Sequence, residues 1–330
     1  MAFTCFGEGR NGDALFCLNG RQVGTEQMNF MAFAKKTSFI TLNAAYPTAG
    51  AFIHAAAKAT ASKPIHLVHV TTAENMLSQP HHLIVAERSS KLDVVMSSVN
   101  TGGSGFVNAV TEVVVNENAD VSMNKLQHEG AGMSQIATEE VLQKSDSRFA
   151  INTITLSGDL VRNNLNILVD GTNCETHLNG LYLPTGKEHV DNHSVVDHRL
   201  PHCESHELYK GILDGKSTGV FNGKVFVRQD AQKTNAFQSN ANILMSDDAT
   251  INSKPELEIY ADDVKCSHGF TTGQFDEEAL FYLRSRGISK ANAQKLMMLA
   301  FAGDVVEKIN LEPFREKVEA LLSERFEQAL

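Results

Sequence analysis

From Ser38 to Tyr260 the chain is a procession of short apolar runs, and almost none of it has helical spacing. Phe39–Leu42, Ala51–His54, Ile65–Val70, Leu83–Val85, Leu92–Met96, Val110–Val115 and Val121–Leu126 come first. Ile151–Leu156, Leu165–Val169, Gly180–Leu183, Ser194–His198, Gly219–Val227 and Leu257–Tyr260 follow. Rich in Val, Ile and Leu and bounded by Asn, Asp, Gly or Pro, such runs read as strands. Asp170-Gly171, Asn179-Gly180, Asp214-Gly215 and Asn222-Gly223 read as the turns between them. The body is therefore mainly β, as a sandwich, a barrel or a β-helix. Asparagine favours the last: Asn163, Asn164, Asn166, Asn173 and Asn179, then Asn235, Asn240, Asn242 and Asn252. Stacked coils satisfy such amides in ladders along the axis. The expectation is a parallel β-helix over residues 38–269, preceded by a poorly readable segment 1–37. Such a stack needs end caps, and the tail at 270–330 is expected to supply one.

That tail has helical spacing. Phe275 to Arg286 is stopped by Gly287. A second helix starts after Ser289 and places Ala293, Leu296, Met297, Ala300 and Phe301 on one side. A third follows Asn310, tolerates Pro313 in its first turn, and faces inward with Phe314, Val318, Leu321, Leu322, Phe326 and Ala329.

Composition excludes several functions. The net charge is −10 with no basic tract, so nucleic acid and anionic membrane are poor partners. Cys5, Cys17, Cys174, Cys203 and Cys266 are odd in number and form no CxxC, which fits a reducing compartment. No basic region leads into an apolar core at the start, and no run reaches the roughly eighteen apolar residues a membrane helix needs. A cytoplasmic location is expected.

Three motifs invite chemistry and lack its context. Gly7-Glu8-Gly9-Arg10-Asn11-Gly12 spells GxGxxG, but neither the strand nor the helix of a dinucleotide site flanks it. Gly211 to Ser217 is one residue short of a phosphate loop with no helix after it, so no ATP is expected on this chain. Asp197 to His206 gathers His198, His202, Cys203 and His206, yet a strand–turn–strand path would scatter them as polar packing. More pointed are Cys266 and His268, two residues apart on the last strand and so on one face. A thiolate and an imidazole make half of a metal site, and a closed site usually takes four ligands. Spacing alone leaves this open against a buried cysteine beside a hydrogen-bonded histidine.

Three longer runs are more specific: Glu175 to Gly215, Thr218 to Gly269 with its KCSHG, and Thr271 to Ile288 with FYLRSRG. They closely resemble the SufB/SufD family of the SUF iron–sulfur cluster assembly machinery, with a weaker likeness back to about residue 38. The resemblance implies a right-handed parallel β-helix with a small α-helical C-terminal domain. It implies a non-enzymatic scaffold that pairs with a SufB-like paralogue and docks a SufC-like ABC ATPase through its C-terminal helices, with a homodimer possible in isolation. A nascent, transient iron–sulfur cluster would form at the subunit interface. On this chain the ligands implied are His268 first, Cys266 second and Cys203 third. Two departures stand out: segment 1–37 replaces a longer, largely helical region, and Phe270 stands where a small residue is usual. The alternatives are a β-helix polysaccharide lyase and a homodimeric interaction protein. The first calls for a secretion signal and aromatic sugar platforms, and the chain has no tryptophan.

Overall fold

The computed structural model describes residues 37–328 and, before them, β1 (Phe16–Leu18) paired antiparallel with β2 (Arg21–Val23). The motif at Gly7–Gly12 and Ala329 lie outside the described residues.

A helix comes next, α1 (Ser38–Ala45), where the sequence predicts a strand over Phe39–Leu42. The Thr37 side chain accepts the Ile40 amide and starts the helix. Buried Asn43 then donates to the Pro80 and Asn108 carbonyls at 3.0 and 2.7 Å. So short an apolar run fits either period, and the cap with these tertiary bonds decides for the helix.

Past α1 the chain winds through two parallel sheets. One stacks β3 (Ala49–Ala55), β6 (Pro80–Ala86), β8 (Gly105–Val115), β10 (Met133–Gln143), β12 (Leu160–Val169), β14 (His189–His198) and β16 (Thr218–Val227). It ends in a divided rung, β18 (Thr250–Ser253) and β19 (Glu256–Ile259), and β5 (Met76–Ser78) adds to β8. The other sheet stacks β4 (Ile65–Thr71), β7 (Lys91–Asn100), β9 (Asp120–His128), β11 (Arg148–Ser157), β13 (Glu175–Tyr182), β15 (Glu204–Leu213), β17 (Asn235–Leu244) and β20 (Lys265–Gly273). Each strand pairs in register with the one a full turn later. The result is a right-handed parallel β-helix, the hand that twisted strands impose on such crossovers.

One corner of the coil is built the same way on turn after turn. Ser89, Asn118, Asp146, Asn173, His202 and Lys233 all have φ between 57° and 63°. Each is followed by a small buried side chain: Ser90, Ala119, Ser147, Cys174, Cys203 and Thr234. The left-handed residue turns the chain, and the small one fills the inside of the bend.

Two dipeptides expected as turns lie in mid-strand, Asn179-Gly180 in β13 and Asn222-Gly223 in β16. Glycine serves there as space: a Cβ at Gly180 would stand 2.2 Å from the Tyr209 ring. Asn179 extends an amide ladder, donating to Asn152 at 3.0 Å as Asn152 donates to Asn124 at 2.9 Å. A polar thread also crosses the interior. Lys125 pairs with Glu139 at 2.7 Å and donates to Asn163 at 3.0 Å, Asn163 donates to Asn192, and Ser194 and Gln238 both donate to Glu207.

The tail forms α2 (Glu277–Ser285), α3 (Lys290–Val306) and α4 (Glu312–Gln328). It does not cap the coil as expected. α3 and α4 lie along the outer face of the second sheet, where Val95, Leu126, Ile154, Leu181 and Ile212 pack with Met298, Ala302, Val305, Phe314, Val318, Leu322 and Phe326. Those outward rungs are apolar, so covering them stabilises more than covering one end; each fully buried side chain contributes about 1.5–3 kcal/mol. Lys210 pins α3 to β15 by donating to the Phe301 carbonyl at 3.0 Å and pairing with Asp304. The buried side of α3 is Ala293, Met298, Ala302 and Val305, while Leu296 is exposed. Residues 296–302 are apolar nearly all round, so periodicity there does not choose a face. No described helix is long and apolar enough to cross a membrane.

Candidate metal centre

β20 closes the second sheet, and among the described residues only β17 pairs with it. The Lys265 amide donates to the Thr234 carbonyl at 2.9 Å. By alternation Ser267, Gly269 and Thr271 also turn their backbone groups toward β17, while Cys266, His268, Phe270 and Thr272 turn theirs to the free edge. The same four residues carry the row of side chains that continues the coil interior. They register with Ala236, Gln238, Asn240 and Asn242, all buried. Among the described residues nothing caps this end, and the row is open: His268 is exposed, Phe270 is half exposed, and Cys266 packs partly against the core. Burial pushes the Cys266 thiol up from its ordinary value, so it rests protonated.

Cys266 and His268 thus share a face, as their spacing requires. Cys203 is elsewhere. It fills the corner column two rungs back, fully buried beside Cys174, with Sγ donating to the Gly171 carbonyl at 3.2 Å. Two rungs amount to about 10 Å. The other dense cluster disperses. His198 is buried with Nε2 2.9 Å from the Ser205 hydroxyl, His202 makes the exposed corner, and His206 stacks outside between His177 and Phe237. Among the described residues no three His, Cys, Asp or Glu side chains converge where a metal would sit. Cys266 and His268 therefore offer at most two ligands, and any further ones come from outside this set.

Beneath His268 in the coil lie Gln238 and, one rung deeper, Glu207, joined at 2.9 Å. Sequence reading names neither. They stand 31 residues apart, and that interval acquires meaning only when the register of the rungs is known.

Residues 69–301 match the family described as SUF system FeS cluster assembly, SufBD core domain. The chain belongs to the SufBD family. It is 34% identical to the iron–sulfur cluster assembly SufBD family protein slr0076 of Synechocystis, over 86% of this chain and 65% of that protein. It is 34% identical to iron–sulfur cluster assembly protein SufD of Escherichia coli, over 80% of this chain and 64% of that one. SufD of Bacillus subtilis is 26% identical over 86% of this chain and 66% of its own length. This SufBD chain thus spans about two thirds of the length of those relatives. The family match covers β6 to β17 completely, and with them β20 and its His268.

Proposed function

We propose that this chain is a non-enzymatic scaffold subunit on which an iron–sulfur cluster is assembled, and that the open end of its β-helix is half of the assembly site. One observation carries the reading: His268 and Cys266 stand on the interior row of a last strand whose outer edge is unpaired among the described residues. A SufB-like partner laid against that edge would complete the sheet and bring the missing ligands. His268 would be the first ligand on this side and Cys266 the second, its thiol having to lose its proton to solvent before the sulfur could bind iron. Cys203, sealed in its corner, would serve only if that corner opened.

The helices suit a SufC-like ATPase. α2 buries none of its residues, and Phe281 and Tyr282 are 74% and 57% exposed. Movement of the tail would reach the coil through the Lys210–Asp304 pair and the packing of α3 on β13 and β15. The test is to purify the chain with both partner subunits and assay iron and acid-labile sulfide. His268→Ala is expected to lose most of the cluster, and full loading of that variant would remove His268 from the site.

A further inference from the structure

Gln238 is 4% exposed on the interior row of β17, directly beneath His268. Its Nε2 donates back to Glu207 Oε2 at 2.9 Å. The other Glu207 oxygen is taken by the Ser194 hydroxyl. The Gln238 amide is thereby held with its NH2 toward β15. Its Oε1 is buried with no hydrogen-bond partner among the described residues. Leaving a buried acceptor unpaired is unfavourable, and the next residue in that column is His268. The Asn124–Asn152–Asn179 ladder runs in the same sense, Asn152 and Asn179 each donating to the amide one turn back. Gly223 walls the pair in, because a Cβ there would stand 2.8 Å from Gln238 Nε2 and 3.1 Å from Glu207 Oε2. An imidazole that ligates through one nitrogen carries its proton on the other, and that N–H needs an acceptor to fix the ring.

We propose that Gln238 is the positioning residue for His268: when cargo is bound, Gln238 Oε1 accepts the N–H of one ring nitrogen and leaves the other to the metal, with Glu207 holding the amide in that sense. The proposal rests on His268 being a ligand, as argued above. It makes a buried amide of the rung beneath β20 part of the interface site.

The test uses the assembled complex loaded with iron and sulfide, and follows release of iron to a ferrous chelator. Gln238→Met keeps the size and removes the acceptor; release is expected to quicken roughly 10–100-fold. The exchanged pair Glu207→Gln with Gln238→Glu restores a donor–acceptor bond and presents a carboxylate oxygen to His268. It is expected to return release to the parent rate, which a purely structural role for Gln238 would not produce. If Gln238→Met fails to fold, the exchanged pair decides alone: parent-like release supports the proposal, and release quickened tenfold or more over the parent overturns it. Parent-like release from folded Gln238→Met, with His268→Ala empty, overturns the positioning role and leaves the site intact. Full retention in His268→Ala overturns both.

Discussion

Tyr209 on β15 occupies the space that a side chain at Gly180 on β13 would fill, its Cε1 lying 2.2 Å from where a Cβ would stand. The reverse holds two residues further along the same two strands, where a Cβ at Gly211 would meet the Tyr182 ring at 2.5 Å. Gly180→Ala is therefore expected to destabilise the fold by about 1–3 kcal/mol, the usual cost of overpacking. Urea unfolding checks this. A truncated ring in Gly180→Ala/Tyr209→Leu is expected to recover part of the loss, and no recovery would mean that the tyrosine is not the obstacle.

Lys125 and Glu139 form a buried ion pair across the two sheets at 2.7 Å, and Lys125 also donates to Asn163. Removing one partner strands the other charge, so Lys125→Met is expected to cost about 3–5 kcal/mol. Replacing both, as Lys125→Met/Glu139→Leu, is expected to be far milder, because the pair repays little more than its own desolvation. The double-mutant cycle measures this, and additive losses would show that the two charges do not depend on each other.

Burial raises the Glu207 carboxyl to about 7, against the Ser194 and Gln238 hydrogen bonds that pull it down. In the unfolded chain a glutamate titrates near 4.3. Between these values the folded chain keeps a proton that the unfolded chain has lost, so stability falls as pH rises through that window and the loss is complete above it. Glu207→Gln has no such proton to lose. Its stability relative to the parent is expected to climb by about 3–4 kcal/mol from about pH 4 to about pH 8. A difference that stays flat over that range would place the carboxyl in a wetter setting than the coil interior.

The fold was legible where chemistry repeats locally. Asparagine density pointed to stacked amides, and Asn152 and Asn179 do stack. β10 escaped notice because its centre reads Ile-Ala-Thr-Glu-Glu, although Glu139 and Glu140 are both buried there. Glu139 is tolerated inside only because Lys125, on the opposite sheet, meets it. The site divides in the same way. Cys266 and His268 share a face by an interval of two residues, which any strand enforces. Gln238 and Glu207 join them only through the register between turns, and that register is set by corner geometry at residues such as Asn173 and His202.

Phe281 and Tyr282 test the proposed docking of an ATPase. They are exposed on a helix none of whose residues is fully buried. Phe281→Ala/Tyr282→Ala is expected to leave thermal unfolding unchanged and to weaken capture of the ATPase subunit by tenfold or more, about 1.4 kcal/mol. Calorimetric titration checks the second part. Undiminished binding would move the docking surface off α2.

The free edge of β20 gives the sharpest test of pairing. Thr272 turns its amide to the open side, and Thr271 turns its amide to β17, as the Lys265–Thr234 bond and strand alternation require. Proline is tolerated in a sheet where the missing N–H faces outward, and disrupts it where the N–H belongs to the ladder. Thr272→Pro is therefore expected to fold with nearly the parent stability, yet to lose pairing with the SufB-like subunit or a second copy of the chain. Thr271→Pro is expected to lower stability by comparison. Sedimentation with the partner reads the first outcome and thermal unfolding the second. If Thr272→Pro pairs as tightly as the parent, the partner does not continue the sheet at β20, and the ligands that complete the site approach His268 from another direction.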